Sequence, residues 1–344
     1  MLAASRRTAV LPCPNPPVAQ GACVLLPSEI EGLFREDAPY QDLTCRLLGV
    51  RRQSAHLTVV ARDGGVASGV EAALDLFAYL GVRAEARVDE GDALLPGATL
   101  LTASGPASAL HLAARQALNL IERFSGIASK TRELVECAQR VNPELVVALP
   151  RQGFPGTRRL TAQAVLAGGG QALRLGLSES IEIGREHWQF VGGIEGLMPR
   201  IARLKRAAGG KPITLIAGSG SEALRLARAE PDFLELPAIA LPSLAELCKS
   251  VHRLSPRTRL ACCVPSGDAD WARYAACGLD WLIVPDLMQA PALPVSASWS
   301  VAQPLSLGLG VADSLMPVDT GASLFSFPAV SCADDLPLLH SLAR

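Results

Sequence analysis

The sequence predicts an α/β protein in two parts, a small mixed α+β unit followed by a βα barrel. From about residue 140 onward, short apolar runs alternate with helical segments, the rhythm of parallel strands joined by crossover helices. Before that point strand and helix signals follow each other without such a repeat. Between the halves lies one long stretch of helical periodicity, residues 108–141.

Residues 1–25 are rich in Pro and Ala and read as an irregular tail. A short helix is expected over residues 28–34 with Ser28 as its cap. Residues 56–61 alternate as a strand, 69–80 carry helical spacing and 84–88 form another strand, followed by turns at Gly91 and Pro96-Gly97. In the long helical stretch Leu110, Leu118, Ile121, Phe124 and Ile127 share one side, and Gly126 reads as a break. Strands are then expected at 145–149, 180–183, 213–217, 233–236, 259–264 and 281–284. Helices fill the intervals at 158–168, 196–208, 221–229, 243–254 and 269–277. About six βα units favour a barrel. The domain reading is a tail over 1–25, an α/β domain over 26–130, a barrel over 131–299 and a C-terminal extension over 300–344, to which the pattern assigns no role.

Of the 344 residues, 49% are apolar and 19% charged, which excludes a disordered chain. Thirty-two basic against 33 acidic side chains leave a net charge of -1, so there is no overall field for nucleic acid. The longest uncharged stretches, 93–114 and 287–312, are interrupted by prolines and glycines and predict no membrane span. Arg6 and Arg7 precede a short apolar run that Pro12, Pro14, Pro16 and Pro17 cut off, so the tail reads as untargeted. The nine cysteines show no CxxC spacing, and adjacent Cys262 and Cys263 suit neither an ordinary disulfide nor a zinc cage. A reducing cytoplasm is the expected setting. The five histidines show neither HxH nor HxxxH spacing, and no histidine-based metal site is expected.

Ligands of βα folds gather at the C-terminal ends of the strands. Arg151 directly follows the first barrel strand and is a candidate anion ligand, the competing reading being a surface loop arginine. Gly168-Gly169-Gly170, followed by Arg174 and Gly176, offers either backbone N–H groups to an anion or a helix end and tight turn. No Walker or GxGxxG pattern is present, so nucleoside triphosphate and dinucleotide binding are unsupported. Gly218-Ser219-Gly220 and Ser266-Gly267 repeat the pattern of small residues at strand ends. Guanidinium groups fork onto carboxylate or phosphate, which singles out Arg115, Arg151 and Arg174, although Arg115 also suits a helix surface. The residues by themselves indicate an anion-binding βα protein.

Five separated segments, in order, add a family resemblance. They are residues 36–44 (Glu36 to Thr44), 114–119 (Ala114 to Asn119), 124–128 (Phe124 to Ala128), 154–157 (Phe154 to Thr157) and 164–170 running on to Arg174-Leu175-Gly176-Leu177. Together they resemble the quinolinate (nicotinate-nucleotide) phosphoribosyltransferase family, most closely its ModD-like pyrophosphorylases, over roughly residues 26–290. The resemblance implies an N-terminal α/β sandwich domain plus an open TIM-like α/β barrel, in a homodimer whose active site draws on both subunits. It implies a glycosyltransferase that joins a pyridine dicarboxylate to phosphoribosyl pyrophosphate, releasing pyrophosphate and carbon dioxide with magnesium. By motif position Arg115 reaches across the dimer to a substrate carboxylate, while Arg151 and Arg174 line the positive pocket.

The chain departs from that pattern on the metal and phosphate side. The family's Arg-Lys-Thr reads Arg151-Gln152-Gly153, its His-Arg reads Leu173-Arg174, and its strand-end lysine falls at Gly184. The expected magnesium carboxylates fall at Thr214, Ile216 and Pro237. Alternation along a strand puts Glu235 on the face of position 237 and Glu182 on that of 184, so both acids can point into the barrel. There Glu235 could hold a cation, or the acids could pair with barrel arginines. Ser266 and Gly267 occupy the family's phosphate loop, with acids at Asp268 and Asp286. The implied function is therefore a transferase acting on a carboxylated ring and a phosphorylated pentose. The alternative is a catalytically inactive relative that binds a carboxylate or oxyanion as a sensor or assembly partner.

Overall fold

A computed structural model describes residues 24–264 and 270–301. The chain opens with α1 (Pro27–Asp37) and α2 (Leu43–Leu47), then runs β1 (Ser54–Ala61), β2 (Gly65–Val66), α3 (Val70–Tyr79), β3 (Arg83–Ala86), β4 (Ala93–Leu94) and β5 (Thr99–Pro106). A single helix, α4 (Ala107–Gln139), leads into β6 (Val146–Leu149), α5 (Arg158–Ala167), β7 (Gln171–Ala172), β8 (Ile181–Ile183), α6 (Arg185–Gln189) and α7 (Gly193–Ala207). The rest is β9 (Ile213–Ile216), α8 (Gly220–Ala227), β10 (Phe233–Leu236), α9 (Leu241–Leu254), β11 (Arg259–Cys263), α10 (Trp271–Ala275), β12 (Trp281–Ile283) and β13 (Val295–Val301). Each of the six expected barrel strands is present.

The first layer is an antiparallel sheet in the order β13-β1-β5-β3. One of its faces buries Leu57, Val59, Leu101 and Ala103 against α3 and the first half of α4. Residues 295–301, which the sequence reading divided between the barrel (to 299) and the C-terminal extension (from 300), pair antiparallel with β1 from Ala55↔Val301 to Ala61↔Val295. The chain therefore returns to its first domain after completing the second. The cap of α1 also differs from expectation: Pro27 occupies the first turn, where its missing N–H is no loss, and the Leu26 N–H donates to Glu29 Oε2 at 2.7 Å. Ser28 lies inside the helix.

The second layer is a seven-stranded sheet, β7-β6-β12-β11-β10-β9-β8, with parallel pairings throughout. Alternation sorts its side chains into two environments. Val147, Leu149, Leu234, Leu236, Leu260, Leu282 and Leu215 join the large core beneath the helices, whereas Ala148, Ala261 and Ile283 form a separate small cluster on the opposite, concave side. The terminal strands β7 and β8 pair only with β6 and β9, so the barrel is open along that seam.

Helix α4 belongs to both cores. Leu110, Ala113, Ala117 and Ile121 pack in the first, while Phe124, Ile127, Ala128, Leu134 and Ala138 pack in the second. The sequence reading takes Gly126 as a break, but the helix runs through it. The glycine lets the chain after β12 pass against the helix: a Cβ there would collide with the Pro291 carbonyl oxygen and lie 3.0 Å from Ala292 Cα. On helix propensity alone Gly126→Ala would stabilise by about 1 kcal/mol. Overpacking at this contact reverses the sign, and the variant is expected to lose about 1–3 kcal/mol in denaturant unfolding. A gain in stability would show that the close approach is not constraining.

Candidate anion-binding site at the barrel seam

A cavity of about 490 Å³, lined by Arg151, Arg174, Glu182, Glu186 and His187 among others, lies along the open seam. Arg151 enters from the end of β6, and Arg174, Leu177 and Ser180 come from the segment joining β7 to β8. Glu182 comes from β8, and Glu186 and His187 from α6. Two of the three sequence-predicted arginines thus meet in one cavity. Arg115 is exposed on α4 and is not among the residues lining that cavity in its own chain.

Arg174 is the anchor of the site. It is only 6% exposed, and its Nη2 donates to Glu182 Oε1 at 2.7 Å. A guanidinium in such a place requires acceptors, and its Nε is a buried nitrogen with no hydrogen-bond partner among the described residues. Glu182 is held inward because its neighbours Ile181 and Ile183 both pack toward the helix-side core. Arg151, in contrast, is exposed, and so can meet a ligand without rearranging the core.

Glu235 also points to the concave side, between Leu234 and Leu236 of the main core, and registers with Ala261 of β11. Burial, reinforced by the charge of Glu182, pushes its carboxyl up to about 7. No hydrogen bond or ion pair holds the Glu235 carboxyl among the described residues, although its backbone carbonyl accepts from the Ala217 N–H at 2.9 Å. The sequence reading left open whether these acids pair with arginines. Glu182 does, and Glu235 does not. Cys263 lies near Glu235 and Asp286, and burial foremost pushes its thiol up to about 11, so it stays protonated at neutral pH.

The glycine segments act differently from the anion-binding alternative. The Gly169 and Gly170 N–H groups donate to the Leu166 and Val165 carbonyls and close the end of α5. A Cβ on Gly168 would lie 2.5 Å from the Ala128 carbonyl, and one on Gly170 2.8 Å from Thr131 Cγ2, so the run serves close packing on α4. At the next strand end the Gly218 N–H is taken by Glu222 Oε2 at 2.8 Å, and Ser219 caps α8. Ser266 and Gly267, assigned to the phosphate loop, lie outside the described residues, as does Asp268.

Among the described residues, the strand acids Glu182 and Glu235 do not by themselves make a magnesium site. Mg²⁺ selects near-octahedral oxygen ligands, and of the two described strand acids that face the concave side, Glu182 is already bonded to a guanidinium, so Glu235 alone is left to ligate. A divalent ion there would also face the Arg174 charge. Among the described residues, Asp42, Cys45 and His111 in the first domain bring their ligand atoms within 4.8 Å of one another. The sequence reading expected no histidine-based site, because the five histidines are scattered without HxH or HxxxH spacing.

The sequence matches the profile for "Quinolinate phosphoribosyl transferase, N-terminal domain" over residues 42–125 and that for the C-terminal domain over 127–293. It is similar to the protein named "Putative pyrophosphorylase ModD" of Escherichia coli O157:H7, 30% identical over 252 residues, covering 73% of this chain and 89% of that protein. The protein of the same name from Rhodobacter capsulatus is 37% identical over 204 residues, 59% of this chain and 78% of its own. Among solved structures, the nicotinate-nucleotide pyrophosphorylase of Ehrlichia chaffeensis aligns with a TM-score of 0.72 at 21% identity, covering 80% of this chain and 99% of that one. NadC from Streptococcus pyogenes aligns at 0.70 and 23% identity, covering 80% and 98%. Both show the same fold, an N-terminal sheet domain joined to an open parallel barrel. With both halves matched in order, the chain belongs to the quinolinate phosphoribosyl transferase family.

Proposed function

We propose that the chain is a pentosyltransferase of the ModD type, joining a carboxylated nitrogen ring to C1 of a phosphorylated pentose as pyrophosphate departs. The observation that carries this is the convergence of Arg151 and buried Arg174, one Arg174 nitrogen still lacking an acceptor, on a cavity of about 490 Å³. A ring carboxylate is the planar, bidentate guest that guanidinium groups select. The names of relatives point the same way, including "Probable nicotinate-nucleotide pyrophosphorylase [carboxylating]" of Archaeoglobus fulgidus, 29% identical over 222 residues.

Charge counting supports a site shared by two protomers. Arg151 and Arg174 are offset by Glu182 and Glu186, so with His187 uncharged the cavity of one chain is formally neutral. A dianionic ring needs a further cation, and Arg115, exposed on α4, is available to a second protomer. Large apolar side chains stand open beside the cavity, with Leu177 at its lining 74% exposed and Phe190 just past α6 84% exposed. Covering them is the natural role of a homodimer interface. The six described cysteines are unpaired, which suits a reducing cytoplasm. No helix of the described residues is long and apolar enough to cross a membrane.

Calorimetry with ring carboxylates, followed by a pyrophosphate-release assay with phosphoribosyl pyrophosphate, tests the reading. Saturable binding of both substrates with pyrophosphate release is expected; carboxylate binding without release would leave only an anion-binding relative. Arg151→Ala should weaken carboxylate affinity about 10- to 100-fold while leaving unfolding stability within about 0.5 kcal/mol, because its exposed charge serves the ligand rather than the core. Arg115→Ala should weaken binding comparably without dissociating the protomers, as checked by light scattering. Unchanged affinity would remove that residue from the site.

Glu235 gives a pH signature of the same interior. Its folded pKa of about 7 exceeds the ordinary glutamate value, so the folded chain binds more protons than the unfolded chain between roughly pH 4.5 and 7. Its contribution is fully present below that window and is lost as pH rises through about 7. Glu235→Gln should therefore be close to wild type near pH 4.5 and more stable at pH 8, by about 3 kcal/mol at most. A stability difference that does not change with pH would mean that Glu235 is solvated.

A further inference from the structure

A second cluster of reactive side chains lies on the first domain, away from the barrel. Asp42 precedes α2, Cys45 is in its first turn, and His111 sits one turn into α4, 69 residues after Asp42. The contact between α2 and α4 brings them together. His111 Nδ1 lies 2.7 Å from Asp42 Oδ2, the Cys45 N–H donates to Asp42 Oδ1 at 3.0 Å, and the three ligand atoms all fall within 4.8 Å of one another. The Asp42 carboxylate is 13% exposed, Cys45 is buried and the imidazole is 58% exposed, so the cluster has a closed floor and an open mouth. The Trp299 ring of β13, 6.3 Å from the imidazole between centroids, borders it.

We propose that Asp42, Cys45 and His111 form a binding site for a borderline-soft divalent cation of the zinc type, with the fourth position open to water or a ligand. The donor set is one carboxylate oxygen, one thiolate sulfur and one imidazole nitrogen. Zinc takes these at about 2.0–2.2, 2.3 and 2.0–2.1 Å. Tetrahedral angles then place the ligand atoms about 3.3–3.7 Å apart, so metal binding opens the 2.7 Å Asp42–His111 contact by about 0.6 Å and brings the sulfur, already within 4.8 Å of both partners, into the same range. The mixed set with a sulfur disfavours Mg²⁺ and Ca²⁺, which take oxygen ligands. Binding displaces the Cys45 thiol proton to solvent, so affinity rises with pH. His111 and Arg115 are four residues apart on α4 and share a face, so the bound cation adds positive charge beside Arg115. The site does not depend on the proposed transferase reaction.

Titrating the full chain with Co²⁺ and following thiolate-to-cobalt charge-transfer absorption tests the inference directly. Saturation at one ion per chain is expected, with displacement by Zn²⁺ and no response to excess Mg²⁺. The absorption should vanish in Cys45→Ser, and affinity should fall at least tenfold in His111→Ala, whose exposed side chain can be removed without touching the core. Arg115→Ala should keep the ion. Failure to saturate, or an unchanged signal in His111→Ala, would overturn the site and leave a plain aspartate–histidine contact that docks α2 on α4. An unchanged signal in Cys45→Ser would assign the metal to another cysteine and overturn it equally.

Discussion

A guanidinium taken out of water must find acceptors, and the arrangement of the barrel seam follows from how Arg174 meets that demand. Its one carboxylate partner, Glu182, is fixed on the concave side by the alternation of β8. With Glu182 committed, Glu235 faces an occupied negative charge across a poorly solvated interior and keeps its proton to about pH 7. The same commitment leaves one Arg174 nitrogen without an acceptor, which a bound carboxylate can supply. Breaking such a pair from one side is costly because the remaining charge stays buried, so the pair is a fixed framework and exposed Arg151 is the adaptable ligand-facing group.

The framework exists because α4 is continuous. Its first half completes the core of the antiparallel sheet and its second half that of the barrel, so residues 107–139 tie the two layers together. Glycines set how closely the neighbours approach it: Gly126 admits the strand returning toward β13, and Gly168 and Gly170 bring the end of α5 and the start of β7 onto its second half. That last contact places the β7–β8 segment, and Arg174 with it, beside the seam. The face of α4 that carries His111 and Arg115 is left exposed.

Much of this architecture was legible because alternation in a buried parallel strand is strict. Six barrel strands stand out as short apolar runs between helical segments, and the inward aim of Glu182 and Glu235 follows from period two once the resemblance places positions 184 and 237 at the site. The antiparallel sheet was harder. In β5 the ladder pairs Val59 with Leu101 and Val60 with Thr99, so Leu100 is an extra residue and two consecutive leucines are both buried. The alternation that marks a strand is broken there. β13 alternates Val295, Ala297, Trp299 and Val301 with three serines, a strand pattern the sequence reading passed over, and its pairing with β1 spans more than two hundred residues, which no local signal encodes. Glycine was ambiguous in the same way: a break, an anion loop and a close helix contact leave identical marks in sequence, and only the neighbour decides. The Asp42–Cys45–His111 cluster was invisible because metal-ligand spacing rules read local repeats, and this one is made by tertiary packing.

The central claim is that the arginines of one cavity come from two protomers. Mixing the Arg115→Ala chain with the Arg151→Ala chain tests it most directly, since each alone lacks a cation at every site. Exchange into hybrid dimers rebuilds one site with both arginines intact, and random pairing restores about one quarter of all sites. The account predicts that carboxylate binding by calorimetry recovers to about that fraction with wild-type affinity. Two defective proteins that stay defective after mixing, despite demonstrated subunit exchange, would contradict it.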